Sequence, residues 1–406
     1  MRIAILSDAY LPESTLNHSK MLHDLGVEMH RLGHDIVVMT PGALSQKNII
    51  EIVKLNGVEV WRFRCFPPRG GSRLRRAVGE TLLPWFLFVA VIIKRVNINF
   101  DIVVNYSPTI FFGSFAFFLK SKGAYVYLVL RDFFPKWVID QGLIEKDSFV
   151  ARFFQYFEEL NYKSANVIAV QSHGNLDVFR KMVSPKCYTL DVLYNWVEPV
   201  VDVDASFGVA YIEKLNLHKK FIFFYGGNIG PAQDVNYILL LARRFSSYPE
   251  VHFLIVGQGD EYDSIRNTIK SEKLINVTLC DSVDQDQYRS LLLQVHVGVF
   301  TLSDKHVAHN FPGKILGYLQ AALPILGAVN NGNDIIQVIN QSGSGKVSLI
   351  GSDQDFFADA LSLYRDSKLY TKMSRSCCAL LKEKFDVQIA AKKIINSYCE
   401  WKKNTS

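Results

Sequence analysis

The sequence predicts an α/β protein of two doubly wound parallel-sheet domains, and three observations predict it. Its 406 residues exceed one ordinary core and suit two domains of about 200 residues each. Apolar runs of five to eight residues alternate with longer amphipathic stretches, as in parallel strands buried between helices. The pattern then restarts near residue 200, so two such halves follow one another.

In the first half the expected strands are IAILS, DIVVMT, DIVVNY, YVYLVL, NVIAV and YTLDVLY. Between the first two, His18 to Leu32 sets Leu22, Leu25, Met29 and Leu32 on one helical face and stops at Gly33, which completes a β-α-β unit. The second half offers FIFFY, VHFLIVG, NVTLC, VHVGVF, PILGAV and KVSLI. Between the halves, EPVVDVDASFG contains Pro199 and Gly208, lacks helical periodicity and reads as a linker. The expected divisions are residues 1–200, residues 201–386 and a terminal helix over 387–406.

A hydrophobic content of 49% with 21% charged residues excludes a disordered or fibrous chain. Cys65, Cys187, Cys280, Cys377, Cys378 and Cys399 form no C-x-x-C pair and no disulfide framework, so they read as reduced thiols. Met1 leads straight into a short strand with one arginine and no small-residue cleavage site; the expectation is a cytoplasmic protein without a secretory signal. A net charge of +6 supports no nucleic-acid role by itself.

The distribution of charge says more. Arg62, Arg64, Arg69, Arg73, Arg75 and Arg76 follow one another without an acidic residue and lead into LLPWFLFVAVII, residues 82–93. Such a run makes a helix of about 18 Å against a hydrocarbon core of about 30 Å, so it is a core or an interfacial helix. In the interfacial case the arginines meet anionic headgroups while Trp85, Phe86 and Phe88 enter the interface. A core helix beside a solvated basic loop explains the same residues, and IFFGSFAFFLK at 110–120 fits either reading.

Ligands of open parallel sheets lie off the carboxyl ends of the strands, so the loops after strands are where chemistry is sought. In FYGGNIGPAQDV, residues 224–235, Gly226, Gly227 and Gly230 allow close backbone approach, and amides at the following helix start can hold phosphate. A plain tight turn explains the same glycines. IVGQGDEY, residues 255–262, fails as a dinucleotide fingerprint because Tyr262 stands where the third glycine is needed. The pairs Asp202/Asp204, Asp284/Asp286 and Asp353/Asp355 read as linker and helix-cap residues, so neither a catalytic metal nor a cofactor is expected.

In HNFPGKILGYLQAALPILG, residues 309–327, a loop runs into a helix whose first turn carries Lys314, an ammonium that could hold a leaving diphosphate. His309, Asn310 and Gly313 stand beside it, and a lysine on a solvated helix face is the plainer alternative. In the first half, the loop from Asp8 to Ser19 presents Glu13, Ser14, Thr15, Asn17 and His18, and Arg131 and Asp132 end the strand YVYLVL. Both sets are candidates for binding acceptor hydroxyls, or else are caps and a surface ion pair.

The ordered set DAYLPEST, RLGHDIVVMTP, VIAVQSHG, LYNWVEP, FYGGNIGPAQ, FLIVGQGDE and FPGKILGYLQAALPIL resembles glycosyltransferase family 4, retaining enzymes of the GT-B fold with two facing Rossmann-like domains. The likeness runs over nearly the whole chain and looks closest to the bacterial O-antigen and colanic-acid branch, particularly L-fucosamine transferases. It implies a UDP-linked deoxyamino sugar as donor and a polyprenyl-diphosphate-linked saccharide as acceptor, at the cytoplasmic face of the inner membrane. It also implies an acceptor-side first domain and a nucleotide-sugar-binding second domain.

By position, the resemblance implies Gly227, Asn228 and Gln233 along the donor diphosphate, and Gly257 and Gly259 near the nucleotide. The expected catalytic set is Lys314, His309, Arg131 and Asp132. Many members have arginine and lysine where Asn228 and Gln233 stand, which shifts phosphate charge onto Lys314. The family's two glutamates eight residues apart fall on His309 and Gly317 here, a departure that keeps two rivals open. These are a nucleotide-sugar epimerase and a non-catalytic sugar-nucleotide sensor.

Overall fold

The computed structural model describes the chain except Thr15, 67–72, Gln141, 184–187, 200–201, 305–310 and Ser406, with backbone alone for 73–77 and Asp140. The elements begin β1 (Arg2–Leu6), α1 (Asn17–Arg31), β2 (Asp35–Gly42), β3 (Ile50–Leu55), β4 (Val58–Arg64) and α2 (Arg73–Lys94). There follow β5 (Ile102–Ser107), α3 (Gly113–Ser121), β6 (Tyr125–Leu130), α4 (Lys136–Asp140), α5 (Phe149–Ser164), β7 (Val167–Val170), α6 (His173–Met182) and β8 (Thr189–Val192). Next come α7 (Ser206–Lys214), β9 (Phe221–Asn228), α8 (Asn236–Arg244), β10 (Val251–Gln258), α9 (Tyr262–Ser271), β11 (Val277–Cys280) and α10 (Gln285–Leu292). The chain ends with β12 (Val297–Thr301), α11 (Lys314–Gln320), β13 (Ile325–Val329), α12 (Ile335–Ser342), β14 (Gly345–Leu349), α13 (Asp353–Arg365), α14 (Ser367–Leu380) and α15 (Val387–Thr405).

Two compact units result: residues 1–197 with 387–406, and residues 198–386. The first holds a sheet in the order β3-β4-β2-β1-β5-β6-β7-β8, parallel except for β3. Successive strand residues point to opposite faces. Ile3 and Ile5 of β1 therefore pack with Leu22, Leu25 and Met29 of α1 and Ala391 and Ile394 of α15. Ala4 and Leu6 pack with Leu83 and Leu87 of α2 and Phe112 and Phe115 at α3. Farther along that second face, Tyr162 of α5 and Phe179 of α6 cover Leu128 and Ile168. The second unit holds the parallel sheet β11-β10-β9-β12-β13-β14, with Phe223, Phe245 and Phe253 at its core.

Each strand expected from the sequence is present, and three features differ from expectation. Ile50–Leu55 and Val58–Arg64 form an antiparallel hairpin at the sheet edge. Its turn is Asn56-Gly57 with φ of 50° and 87°, the positive pair a type I′ turn demands. The terminal helix α15 packs on the first unit: Val387 N–H donates to Val197 O at 3.1 Å, and Tyr125 and Ser397 hydroxyls bond at 2.7 Å. A terminal helix goes where its apolar face is buried, which chain order does not decide. The linker stretch also runs into α7, whose Ser206 N–H is capped by Asp204 at 2.8 Å.

The apolar run at 82–93 belongs to the longer helix α2, which buries Leu83, Leu87, Ala90 and Val91. Of its three aromatic residues, Trp85 is 64% exposed, whereas Phe86 and Phe88 lean on Phe66, Phe115 and Phe118. Arg62 leaves the basic run altogether. It is buried in β4, donating to Leu11 O at 2.7 Å and pairing with Glu13 at 2.6 Å. Arg69 and the side chains of Arg73, Arg75 and Arg76 lie outside the described residues.

A pH effect follows from α5. Glu158 accepts a hydrogen bond from Tyr162 at 2.8 Å, and burial pushes its carboxyl up from 4.5 to about 7. The folded state therefore favours the protonated acid, and the associated stability is full below about pH 4.5 and lost as pH rises through about 7. Glu158→Gln keeps an acceptor for Tyr162 and never ionises. Its melting advantage over wild type should be small at pH 5 and reach on the order of 1–3 kcal/mol at pH 8. Equal advantages at both pH values would refute the assignment.

Candidate active site

In the second unit four segments converge at the carboxyl ends of the strands, where an open parallel sheet places its ligands. They are the ends of β9, β10 and β12 and the start of α11. Register pairs Gly257 with Gly227 and Gln258 with Asn228 across β10 and β9. The approach is closer than any side chain permits, since a methyl on Gly257 would stand 1.9 Å from Gly227 O and one on Gly259 2.3 Å from Ile229 O. Packing of one loop on the other thus accounts for both glycines of GQGDE. Ile229 N–H donates to Gln258 O at 2.8 Å, and Glu261 N–H to Ile229 O at 3.0 Å.

The loop after β9 is tied from below. Thr301, at the end of β12, donates its hydroxyl to Gln233 O, and Ser303 N–H donates to Ala232 O at 3.0 Å. Asn228 Nδ2 donates to Gln233 Oε1 at 2.8 Å, so these two side chains brace each other across the turn. The backbone of Gly227 takes φ of +130°, and a methyl there would lie 3.6 Å from the ammonium of Lys314.

Lys314 stands beside this loop. Gly313 precedes α11, and Lys314 at its first position sends Nζ over the ring of Tyr225, 3.4 Å from the centroid. Nζ is buried and has no hydrogen-bond partner among the described residues. Burial drives its pKa well below the ordinary lysine value. A solvated-face lysine would show neither property, so that alternative is overturned. Among the described residues the ammonium contacts a ring face and stands against a glycine backbone, an arrangement that leaves its N–H groups free to meet an anion. His309 and Asn310 lie outside the described residues.

At Gly317, Tyr288 fills the space beside the helix: a methyl there would meet its ring at 3.4 Å and its hydroxyl oxygen at 3.8 Å. Sequence reasoning missed Tyr288 and Tyr225, since both read as ordinary apolar positions. The aspartate pairs are engaged locally. Asp284 caps α10 in a reciprocal box with Gln287, and Asp353 accepts from Tyr237 at 2.7 Å.

In the first unit, buried Asp8 follows β1 and its Oδ1 lies 3.3 Å from His18 Nε2 at the start of α1. The His18 ring stacks on Tyr106 at the end of β5, with 5.5 Å between centroids. Burial pushes the Tyr106 hydroxyl up to about 12, opposed by Arg131. Arg131 itself is spoken for: it donates to Leu193 O at 2.6 Å and stands over Trp196 at 5.3 Å, clamping the LYNW segment. Asp132 is exposed beside it. Glu13 is paired to Arg62, and Ser14 accepts from Ser19 at 2.8 Å, so the described rim residues Glu13, Ser14 and His18 each have a partner within the unit. Thr15 lies outside the described residues.

Comparison with known proteins agrees with this architecture. Residues 210–376 match the family described as Glycosyl transferases group 1. A "Probable glycosyltransferase WbjE" of Pseudomonas aeruginosa is 23% identical over 286 residues, spanning 69% of this chain and 70% of that protein. Among solved structures, sucrose-phosphate synthase from Thermosynechococcus elongatus superposes with a TM-score of 0.72 at 14% identity, covering 98% of each chain. Anabaena Alr3699/HepE in complex with UDP gives 0.68 at 14% identity, covering 98% of this chain and 100% of that one. The class so defined is a two-unit GT-B protein whose second unit matches the group 1 glycosyl transferases.

Proposed function

We propose that this chain is a retaining glycosyltransferase of family 4 type, moving a sugar from a UDP-linked donor to a lipid-linked saccharide acceptor. The observation that carries the reading is the buried ammonium of Lys314, without a hydrogen-bond partner among the described residues, against the Gly227 backbone, a place for the departing diphosphate. The group 1 match over the same unit and the UDP held by HepE support it. Gly227, Asn228 and Gln233 line the diphosphate side, with Gly313 ahead of the lysine; for His309 and Asn310 the proposal rests on the sequence alone. The finer assignment is a deoxyamino sugar such as N-acetyl-L-fucosamine, a polyprenyl-diphosphate acceptor of O-antigen or related polysaccharide, and a peripheral position on the cytoplasmic face of the inner membrane.

The barrier is lowered by stabilising the diphosphate as its charge develops, which a preorganised cation in a dry site does most strongly. In the first unit, Asp8 orients the His18 ring toward the acceptor hydroxyl, and Arg131 acts as a positioning residue through the LYNW segment. Holding the hydroxyl on the leaving-group face and excluding water is the remaining task.

The test uses the full chain with radiolabelled UDP-, GDP- and dTDP-sugars, with and without a polyprenyl-diphosphate saccharide. Label should move to the lipid fraction only when acceptor is present and most readily from a UDP-sugar. Conversion of donor alone would identify an epimerase. A donor-induced melting shift with no transfer to any acceptor would make the protein a sensor and sink the proposal.

A further inference from the structure

We infer that the helix layer α2–α3–α5 of the first unit is a docking face for an anionic lipid bilayer. The two faces of this sheet are covered by helices of very different outer character. The α1/α15 layer exposes only Leu16 and Leu32 as large apolar side chains among the described residues at its ends. The opposite layer exposes a continuous stripe on α2, where Val78, Trp85, Val89 and Ile92 recur at intervals that return to one side of the helix. Ile92 is 70% exposed, and Ile93 flanks it.

The stripe has neighbours. Phe88 of α2 packs on Phe115 and Phe118 of α3, whose Phe117 faces out. Phe111 at the start of α3 packs on Phe154 and Phe157 of α5, whose Phe149 is 83% exposed with Val150 and Tyr156 also open. An apolar surface of this extent marks an interaction site rather than ordinary scatter.

Charge selects the occupant. Leaving out the buried Arg62, residues 63–122 carry nine lysines and arginines against Glu80 and Asp101, a net +7, so this stretch is more positive than the whole chain at +6. Among its described side chains Arg64, Lys94, Arg95 and Lys122 are exposed at the edges of the layer. Basic edges around an apolar stripe with an outward tryptophan fit a surface whose headgroups are anionic and whose interior is hydrocarbon. No helix among the described residues is long and apolar enough to cross a membrane, so the contact lies in the plane of the surface. The inference rests on the lipid-linked acceptor proposed above for its choice of occupant, and it names the residues that make the contact.

The full chain is sedimented with vesicles of phosphatidylcholine alone and with one-third phosphatidylglycerol, at low and high salt. Wild type should partition at least about tenfold better onto the anionic vesicles, an advantage that salt removes. Trp85→Glu combined with Ile92→Glu should lose at least about tenfold of that binding while its UDP-induced melting shift is unchanged; Leu32→Glu, on the other layer, should bind as wild type. Should the double variant unfold, Trp85→Phe decides: brominated lipid should quench wild-type tryptophan emission and fail to quench this variant. Equal partition of all variants, or unchanged quenching, overturns the docking face. Self-association of lipid-free wild type that the double variant abolishes, with vesicle binding unmoved, makes the face a contact between copies and also overturns it. Vesicle binding without any UDP shift would leave this face standing and refute the transferase reading instead.

Discussion

Replacing Lys314 with methionine should leave the protein at least as stable as wild type and slow its turnover by roughly 10²–10³-fold. The two effects have one cause. The free protein keeps an ammonium out of water without a hydrogen-bond partner among the described residues, which costs folding energy that an isosteric apolar chain does not. Because burial holds its pKa below the ordinary lysine value, the unfolded chain binds the proton more readily, and wild-type stability rises with pH toward the alkaline range. The advantage of Lys314→Met in melting temperature should therefore shrink as pH rises toward the ordinary lysine range. An arriving diphosphate favours the charged form, so any proton exchanged on UDP binding is taken up, and wild-type affinity falls as pH rises through the range where the free lysine gives up its proton. Titration calorimetry in buffers of different ionisation enthalpy measures that uptake, and initial rates at saturating donor measure the rest. A Lys314→Met protein with rate and UDP affinity within about twofold of wild type would remove the diphosphate from this position.

What could be read in the sequence divides along physical lines. Strands buried on both faces are near-continuous apolar runs, so FIFFY and YVYLVL declare themselves without reference to their neighbours. The hairpin at the sheet edge does not, because Ile52 and Val53 of β3 are exposed and IIEIVKL mixes charges with apolar residues. Its legible signal was the Asn56-Gly57 pair, a turn recognisable by the left-handed backbone it requires. Lys314 was legible as a cation after a proline-glycine loop, but its burial was not, since that depends on Tyr225 and Gly227 of a distant strand. Likewise His18 stood out in its loop, whereas Asp8 and Tyr106, which hold it, looked like the ends of strands. Local pattern reveals elements and candidate groups; the environment of each group is a tertiary property.

The glycines of the second unit separate structure from chemistry by the same reasoning. Gly257→Ala places a methyl 1.9 Å from Gly227 O and 3.1 Å from the same carbonyl carbon, and both are backbone atoms fixed by the β9–β10 register. Neither strand can yield without breaking its ladder, so the substitution should destabilise the second unit by about 3 kcal/mol or more. For a unit of this size that is a fall of roughly 6–12 °C in its melting transition. Gly227→Ala meets no backbone atom: its methyl lies 3.5 Å from Lys314 Cε and 3.6 Å from Nζ, and the cost is confined to the strained φ of +130°. It should melt closer to wild type than Gly257→Ala while losing more UDP affinity per degree lost, because it crowds the ammonium that the diphosphate must reach. Differential scanning calorimetry with and without UDP reads both quantities on both variants. A Gly257→Ala protein that melts within about a degree of wild type would show that the two loops do not need their close approach, and the glycine would then have to be explained by a ligand lying against it.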